Sequence, residues 1–174
     1  VTIDHATPSA HYAHTPSREN YYIVGTHLVE SKFDFFGGAG FSRPLDKNDS
    51  TAPNLYDLAQ QYGYTPAAGY ADAKKHQDTN KMILLPANYQ DNYTRFAGAL
   101  PYAIDRTSTD LTLSQIVEVA IEQLSSYDRF FMMAEGGKID YASHANDGAT
   151  VLHEVMDFDA AIQVAYRFYE QHPD

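Results

Sequence analysis

Apolar and polar positions along this chain switch repeatedly between two spacings, and the switches lay out a succession of strands and helices. Val1-Thr2-Ile3, Lys32 to Phe36, Tyr64 to Ala68, Lys81-Met82-Ile83-Leu84-Leu85 and Phe130-Phe131-Met132-Met133-Ala134 are short apolar runs closed by Gly, Pro or polar residues. Runs of that length and composition are expected as strands buried on both faces of a parallel sheet. Between them the spacing turns helical. A short helix is expected over 9–14 and ended by Pro16, a second from Glu19 to Ser31, and a third from Leu55 to Tyr62 with Asn54 as cap and Gly63 as stop. The strongest start signal is Thr112-Leu113-Ser114-Gln115, a capping box, with Leu111 and Ile116 placed for the hydrophobic staple. Leu113, Ile116, Val117, Ala120, Ile121 and Leu124 continue it as one stripe. Val151, Leu152, Val155, Phe158, Ile162, Ala165 and Tyr169 draw a second stripe, ended by Pro173. Residues 69–80 read as a polar helix or surface excursion, and 87–110 as a long loop or insertion. The alternation predicts an α/β fold with a mostly parallel sheet between helical layers, a three-layer α/β/α sandwich represented in part.

The totals change this picture little. The 174 residues suit one domain, with 44% hydrophobic and 20% charged residues. A net charge of −11 argues against a nucleic-acid partner, whose phosphates demand clustered Lys and Arg. No apolar run reaches the length of a membrane span. With no cysteine, any metal must be held by oxygen and nitrogen ligands. Val1-Thr2-Ile3 enters a strand with no preceding turn or cap, as expected of an interior piece of a longer protein.

Candidate chemistry gathers after the run at 130–134. Glu135 falls at its carboxyl end, where open α/β sheets bind their ligands. Gly136-Gly137 allows a sharp turn, and Asp140 and His144 follow four residues apart, on one face of a helical turn. Carboxylate and imidazole suit zinc, and carboxylate also suits magnesium. Elsewhere, Gly37-Gly38-Ala39-Gly40 lacks the lysine and hydroxyl residue of a P-loop, and Asp49-Ser50 reads as a solvated loop.

Glu135-Gly136-Gly137-Lys138-Ile139-Asp140 with His144 resembles the alkaline phosphatase family, whose members carry Glu-Gly-x-x-Ile-Asp after a hydrophobic strand and a His four residues later. His5-Ala6-Thr7-Pro8 and Ser17-Arg18 match a second family pattern, Asp or His followed by Ala-Thr-Pro and an Arg eleven residues after the Thr. The likeness extends over nearly the whole chain, strongly at 4–41 and 108–173. It implies that Thr7 and Glu135 bind magnesium, that Asp140 and His144 bind zinc, and that Arg18 grips phosphate with its planar fork. His5 and Tyr141 would stand behind these groups; relatives often carry Lys, His or Trp where Tyr141 lies.

The resemblance also implies a metal-dependent hydrolase of phosphate monoesters, at home in the periplasm or secreted, and homodimeric. The family's Asp-Ser nucleophile pair belongs upstream of Thr7 and has no counterpart here. The chain by itself is therefore expected to be inactive, and to hold zinc and magnesium weakly or not at all. The alternative is a non-catalytic structural or binding unit of a degenerate relative. A phosphodiesterase or sulfatase of the same superfamily ranks lower, because those lack the Thr-Pro and Arg arrangement.

Overall fold

A computed structural model describes residues 1–89 and 99–173. Three short strands, β1 (Phe35–Gly37), β2 (Thr65–Ala68) and β3 (Met82–Leu85), form a parallel sheet in the order β1-β3-β2. Phe35 pairs with Met82 and Gly37 with Leu84, while Thr65 pairs with Met82 and Ala68 with Leu85. The central strand β3 is buried at every position, which is why its four residues are all apolar. The helices are α1 (Ala6–Ser9), α2 (Tyr21–Glu30), α3 (Leu55–Gln61), α4 (Tyr70–Ala73), α5 (Leu113–Leu124), α6 (Lys138–His144) and α7 (Gly148–Gln171), with a 3₁₀ turn at Ala103–Asp105.

Alternation along the strands sends successive side chains to opposite faces of the sheet. Phe36, Ile83 and Leu85 meet Leu28 and Val29 of α2 and Leu55 and Ala59 of α3. On the other face Ala67, Met82 and Leu84 meet Ala73 of α4 and Ile116 and Val119 of α5. Helix, sheet and helix thus make the three layers that the βα alternation predicts. The α5 layer sits close to β1 because Gly37 offers no side chain: a Cβ there would lie 2.4 Å from Cγ2 of Ile116. Leu28, Leu55, Leu84 and Leu85 are wholly buried, each contributing about 1.5–3 kcal/mol of hydrophobic stabilisation.

The expected capping box is present. Gln115 N donates to Thr112 Oγ1 at 3.1 Å, and Thr112 N donates to Gln115 Oε1 at 3.1 Å. Leu111 and Ile116 are buried in one cluster, as the staple requires. The α5 stripe divides between two neighbours. Ile116 and Val119 face the sheet, whereas Val117 and Ile121 meet Ala161, Val164, Ala165 and Phe168 of α7.

Two sequence expectations need correction. Residues 130–134 belong to no strand, and Phe131 is 79% exposed. The apolar run specifies burial but no partner, and no described segment offers it a ladder of backbone hydrogen bonds. The second stripe is also split. Of α7, Leu152, Val155, Ile162 and Tyr169 point outward, and Thr150, Glu154 and Ala161 point inward. Polar partners turn the helix this way: Ala103 N donates to Glu154 Oε1 at 2.7 Å, and Arg106 Nη1 donates to Asp157 Oδ1 at 2.7 Å.

Smaller departures are matters of boundary. Residues 1–3 are hydrogen-bonded to 39–40 without forming a regular strand, Ile3 already entering a turn, and the helix expected over 9–14 forms earlier, at Ala6–Ser9. The expectation for 87–110 falls partly on residues 90–98, outside the described residues.

Candidate functional site

The two motif-bearing segments meet through aromatic side chains. His5 precedes α1 in extended conformation, and Tyr141 lies within α6. Their contact is a 3.3 Å approach of the Tyr141 hydroxyl to His5 Nε2, with the rings edge to face at a 6.0 Å centroid separation. On the other side His5 stacks on Tyr21, the first residue of α2, at 6.2 Å. Arg43 covers the Tyr21 ring, its guanidinium carbon 5.3 Å from the centroid.

The charged candidates surround this stack. Burial lowers the His5 pKa from its ordinary value; the positive charge of Arg18 adds to this, and Asp4 and Glu135 act against it. Burial likewise raises the Tyr141 pKa, with Tyr21, Asp140 and Glu135 reinforcing and Arg18 opposing. Arg18 and Glu135 therefore act on both His5 and Tyr141 despite lying far apart in sequence. Glu135 is half-buried before the turn into α6, its Oε2 3.4 Å from where a Cβ on Gly137 would lie. Thr7 is exposed on α1. Arg18 is open to solvent, 67% exposed, with Nε 3.8 Å from Glu19 Oε1.

Asp140 and His144 share one face of α6, as their spacing predicts, with His144 Nε2 3.4 Å from Asp140 Oδ1. Their side chains are 69% and 82% exposed, open to a ligand that also reaches other donors. Among the described residues no group of three or more His, Asp or Glu side chains could hold a metal ion. A protein zinc site takes at least three side-chain ligands. The described donors therefore fall short of a complete zinc site.

Two participants have no signature in the sequence. Asp4 is 1% exposed, and its carboxylate accepts from Ser42 N at 2.9 and 3.0 Å and from Ser42 Oγ at 2.7 Å. It ties the entry to α1 onto the loop after β1. Tyr21 reads as an ordinary helix residue, and only the fold brings it onto His5.

A parallel α/β layer fold in which His5 and Tyr141 join the two motif-bearing segments describes a broad class of α/β proteins, and comparison with known proteins narrows it. The family model described as alkaline phosphatase matches residues 42–174. Alkaline phosphatase 4 of Bacillus subtilis is 32% identical over 173 residues, covering 95% of this chain and 34% of the relative. The tissue-nonspecific isozyme of Gallus gallus is 29% identical over 197 residues, covering 95% and 38%. Among solved structures, alkaline phosphatase from the Antarctic bacterium TAB5 superposes with a TM-score of 0.80 at 28% identity, covering 98% of this chain and 47% of that one. The cold-active enzyme of a psychrophilic Shewanella gives 0.80 at 29% identity, covering 99% and 39%. A mutant of the TAB5 enzyme, at 25% identity and TM-score 0.78, has magnesium bound in its M3 site. This chain belongs to the alkaline phosphatase family. It spans about a third of the length of the curated relatives it matches.

Proposed function

We propose that this chain is part of a metal-dependent phosphate monoester hydrolase, carrying its phosphate-binding arginine and a share of its metal ligands without the serine nucleophile. The observation that carries this reading is the His5–Tyr141 contact, which brings the Thr7 and Glu135–His144 segments together. In it Thr7 and Glu135 serve magnesium, Asp140 and His144 serve zinc, and Arg18 holds the phosphate through two parallel hydrogen bonds. His5 and Tyr141 brace the two segments against each other. Bound metal would supply charge stabilisation to a phosphoryl group and lower the pKa of an attacking oxygen. The full protein would act on phosphate monoesters as a homodimer in the periplasm or outside the cell.

The isolated chain is expected to be inactive, because nucleophile and ligand set are both incomplete. An assay of the purified chain with an aryl phosphate and excess zinc and magnesium tests this. Turnover that vanishes on Asp140→Ala or His144→Ala would overturn it.

Arg18 gives a separate test in the full-length protein. With its side chain 67% exposed, Arg18→Ala is expected to leave the melting temperature unchanged. Phosphate inhibition should weaken by about tenfold or more, as loss of a charge-assisted bidentate contact implies. A variant with lower thermal stability and unaltered phosphate inhibition would make Arg18 only the partner of Glu19.

A further inference from the structure

A cavity of about 100 Å³ opens beside the turn that carries Arg18 and Glu19. It is lined by Glu19, Tyr21 and Tyr22 from the start of α2 and by Arg43, Asp46 and Lys47 from the loop after β1. Tyr21 is shared with the candidate site, since His5 stacks on its ring at 6.2 Å. One aromatic ring therefore separates this cavity from His5. The loop is held on both sides of Arg43. Phe41 is buried, and its N–H donates to the Tyr56 hydroxyl at 3.2 Å. Ser42 N donates to the buried Asp4 carboxylate at 2.9 Å, and Pro44 O accepts from Leu55 N at 2.9 Å.

The Arg43 side chain is placed as firmly as its backbone. Its guanidinium carbon lies 5.3 Å from the Tyr21 ring centroid, and Nη1 lies 3.5 Å from Glu19 O. A guanidinium stacked on a ring by its face keeps N–H groups along its edge for an anion. The carboxylates of the cavity are engaged elsewhere: Glu19 Oε1 lies 3.8 Å from Arg18 Nε, and Asp46 Oδ1 accepts from Asn48 N at 2.9 Å. Arg43 and Lys47 form no ion pair among the described residues, in a chain of net charge −11. Burial raises the Tyr21 pKa, and the charges of Arg18 and Arg43 both act against the rise. Two guanidiniums thus stand within reach of one phenol.

We propose that this cavity receives the alcohol part of the phosphate ester, and that Arg43 and Lys47 select esters whose alcohol part carries a second anion, a carboxylate or another phosphate. The inference rests on Arg18 as the holder of the ester phosphate, as proposed above. Arg43 takes the second anion through two parallel hydrogen bonds, a match that its planar fork provides. Lys47 adds a flexible point charge from an exposed position. A neutral alcohol part engages neither cation and gains nothing from them. Arg43 and Lys47 are therefore specificity-determining residues, and hydrolysis of a neutral ester does not depend on them.

The test compares two esters of similar size in the full-length protein: phosphoglycerate, with a carboxylate, and glycerol phosphate, with a hydroxymethyl group in its place. Arg43→Gln with Lys47→Gln is expected to lower kcat/KM for phosphoglycerate about tenfold and to leave that for glycerol phosphate within about twofold. Propanediol bisphosphate against its monophosphate puts the same question to a second phosphate. A selective loss with either anion supports the inference and identifies which anion is read. Equal losses for charged and neutral esters, or no loss for any, overturn it and leave the role of Arg18 standing. Hydrolysis of no ester by the full-length protein would instead overturn the proposed function. Calorimetric binding of the same pairs then decides: a selective fall in affinity of about tenfold in the double variant supports the cavity, and unchanged affinities refute it. Should the double variant not fold, Lys47→Gln alone is expected to show a selective loss of about threefold, and its absence refutes the inference.

Discussion

Asp157→Ala is expected to cost about 3–5 kcal/mol of folding stability, the largest effect of any single side-chain truncation outside the apolar core. Asp157 Oδ1 accepts from Arg106 Nη1 at 2.7 Å, and the two side chains are only 16% and 12% exposed. The pair clamps the segment after the 3₁₀ turn onto α7, and removing the carboxylate leaves a guanidinium with little water to replace it. Arg106 Nε is already buried without a partner among the described residues, so the cation has no second acceptor to turn to. Lys138 adds to the problem, since the charge of Arg106 already acts against protonation of that lysine. For a chain of this size the loss corresponds to a melting temperature lower by roughly 6–20 °C. Arg106→Met with Asp157→Leu is expected to recover most of it, because an apolar pair of similar volume carries no desolvation cost. Chemical denaturation of the three proteins measures this directly. A loss below about 1 kcal/mol for Asp157→Ala would place the pair with exposed surface bridges instead.

The parts of the fold legible in the sequence are those decided by local chemistry. Met82 to Leu85 could only be a strand buried on both faces, and Thr112 with Gln115 announced the start of α5 before any contact was known. The strand expected at 130–134 and the inward face expected of α7 depart from the structure for one shared reason, while α7 itself forms as its stripe predicts. An apolar pattern says that a surface is to be covered, not which element covers it. Phe131 stands 79% exposed because the described chain brings no strand to it. On α7 the inward face was decided by Glu154 and Asp157, whose partners Ala103 and Arg106 lie some fifty positions away and leave no periodic trace.

The candidate site divides along the same line. Asp140 and His144 fall on one face of α6 because a spacing of four is a local property of a helix. That His5 meets Tyr141 depends on how α1, α2 and α6 come together, and spacing carries no record of it; the resemblance of both segments to one family was the sole pointer. Asp4 had no pointer at all. A carboxylate beside a histidine in an extended segment is ordinarily solvated, and only the loop after β1 folding over it makes it a buried anchor.

That anchor sets the second large effect. Asp4→Ala removes the acceptor for Ser42 N–H, while Ser42 Oγ keeps Thr2 Oγ1 2.7 Å away, and leaving the buried N–H unsatisfied costs about 1–3 kcal/mol. Asp4→Asn separates hydrogen bonding from charge, since its amide oxygen still accepts from Ser42 N. Burial raises the Asp4 pKa above its ordinary 3.8, and the hydrogen bonds from Ser42 and Thr2 only partly oppose this. A carboxyl whose pKa is higher folded than unfolded holds its proton more tightly in the folded chain. Its contribution to stability is fully present below pH 3.8 and is lost as pH rises through the elevated folded value. The stability of wild type relative to Asp4→Asn is therefore expected to be greatest below pH 3.8 and to fall towards neutrality, whereas Asp4→Ala stays destabilised throughout. Urea denaturation of the three proteins at intervals from about pH 3 to pH 7 gives the curve. A wild-type advantage over Asp4→Asn that grew with pH would mean that the Ser42 hydrogen bonds outweigh burial and that Asp4 works as a charged anchor.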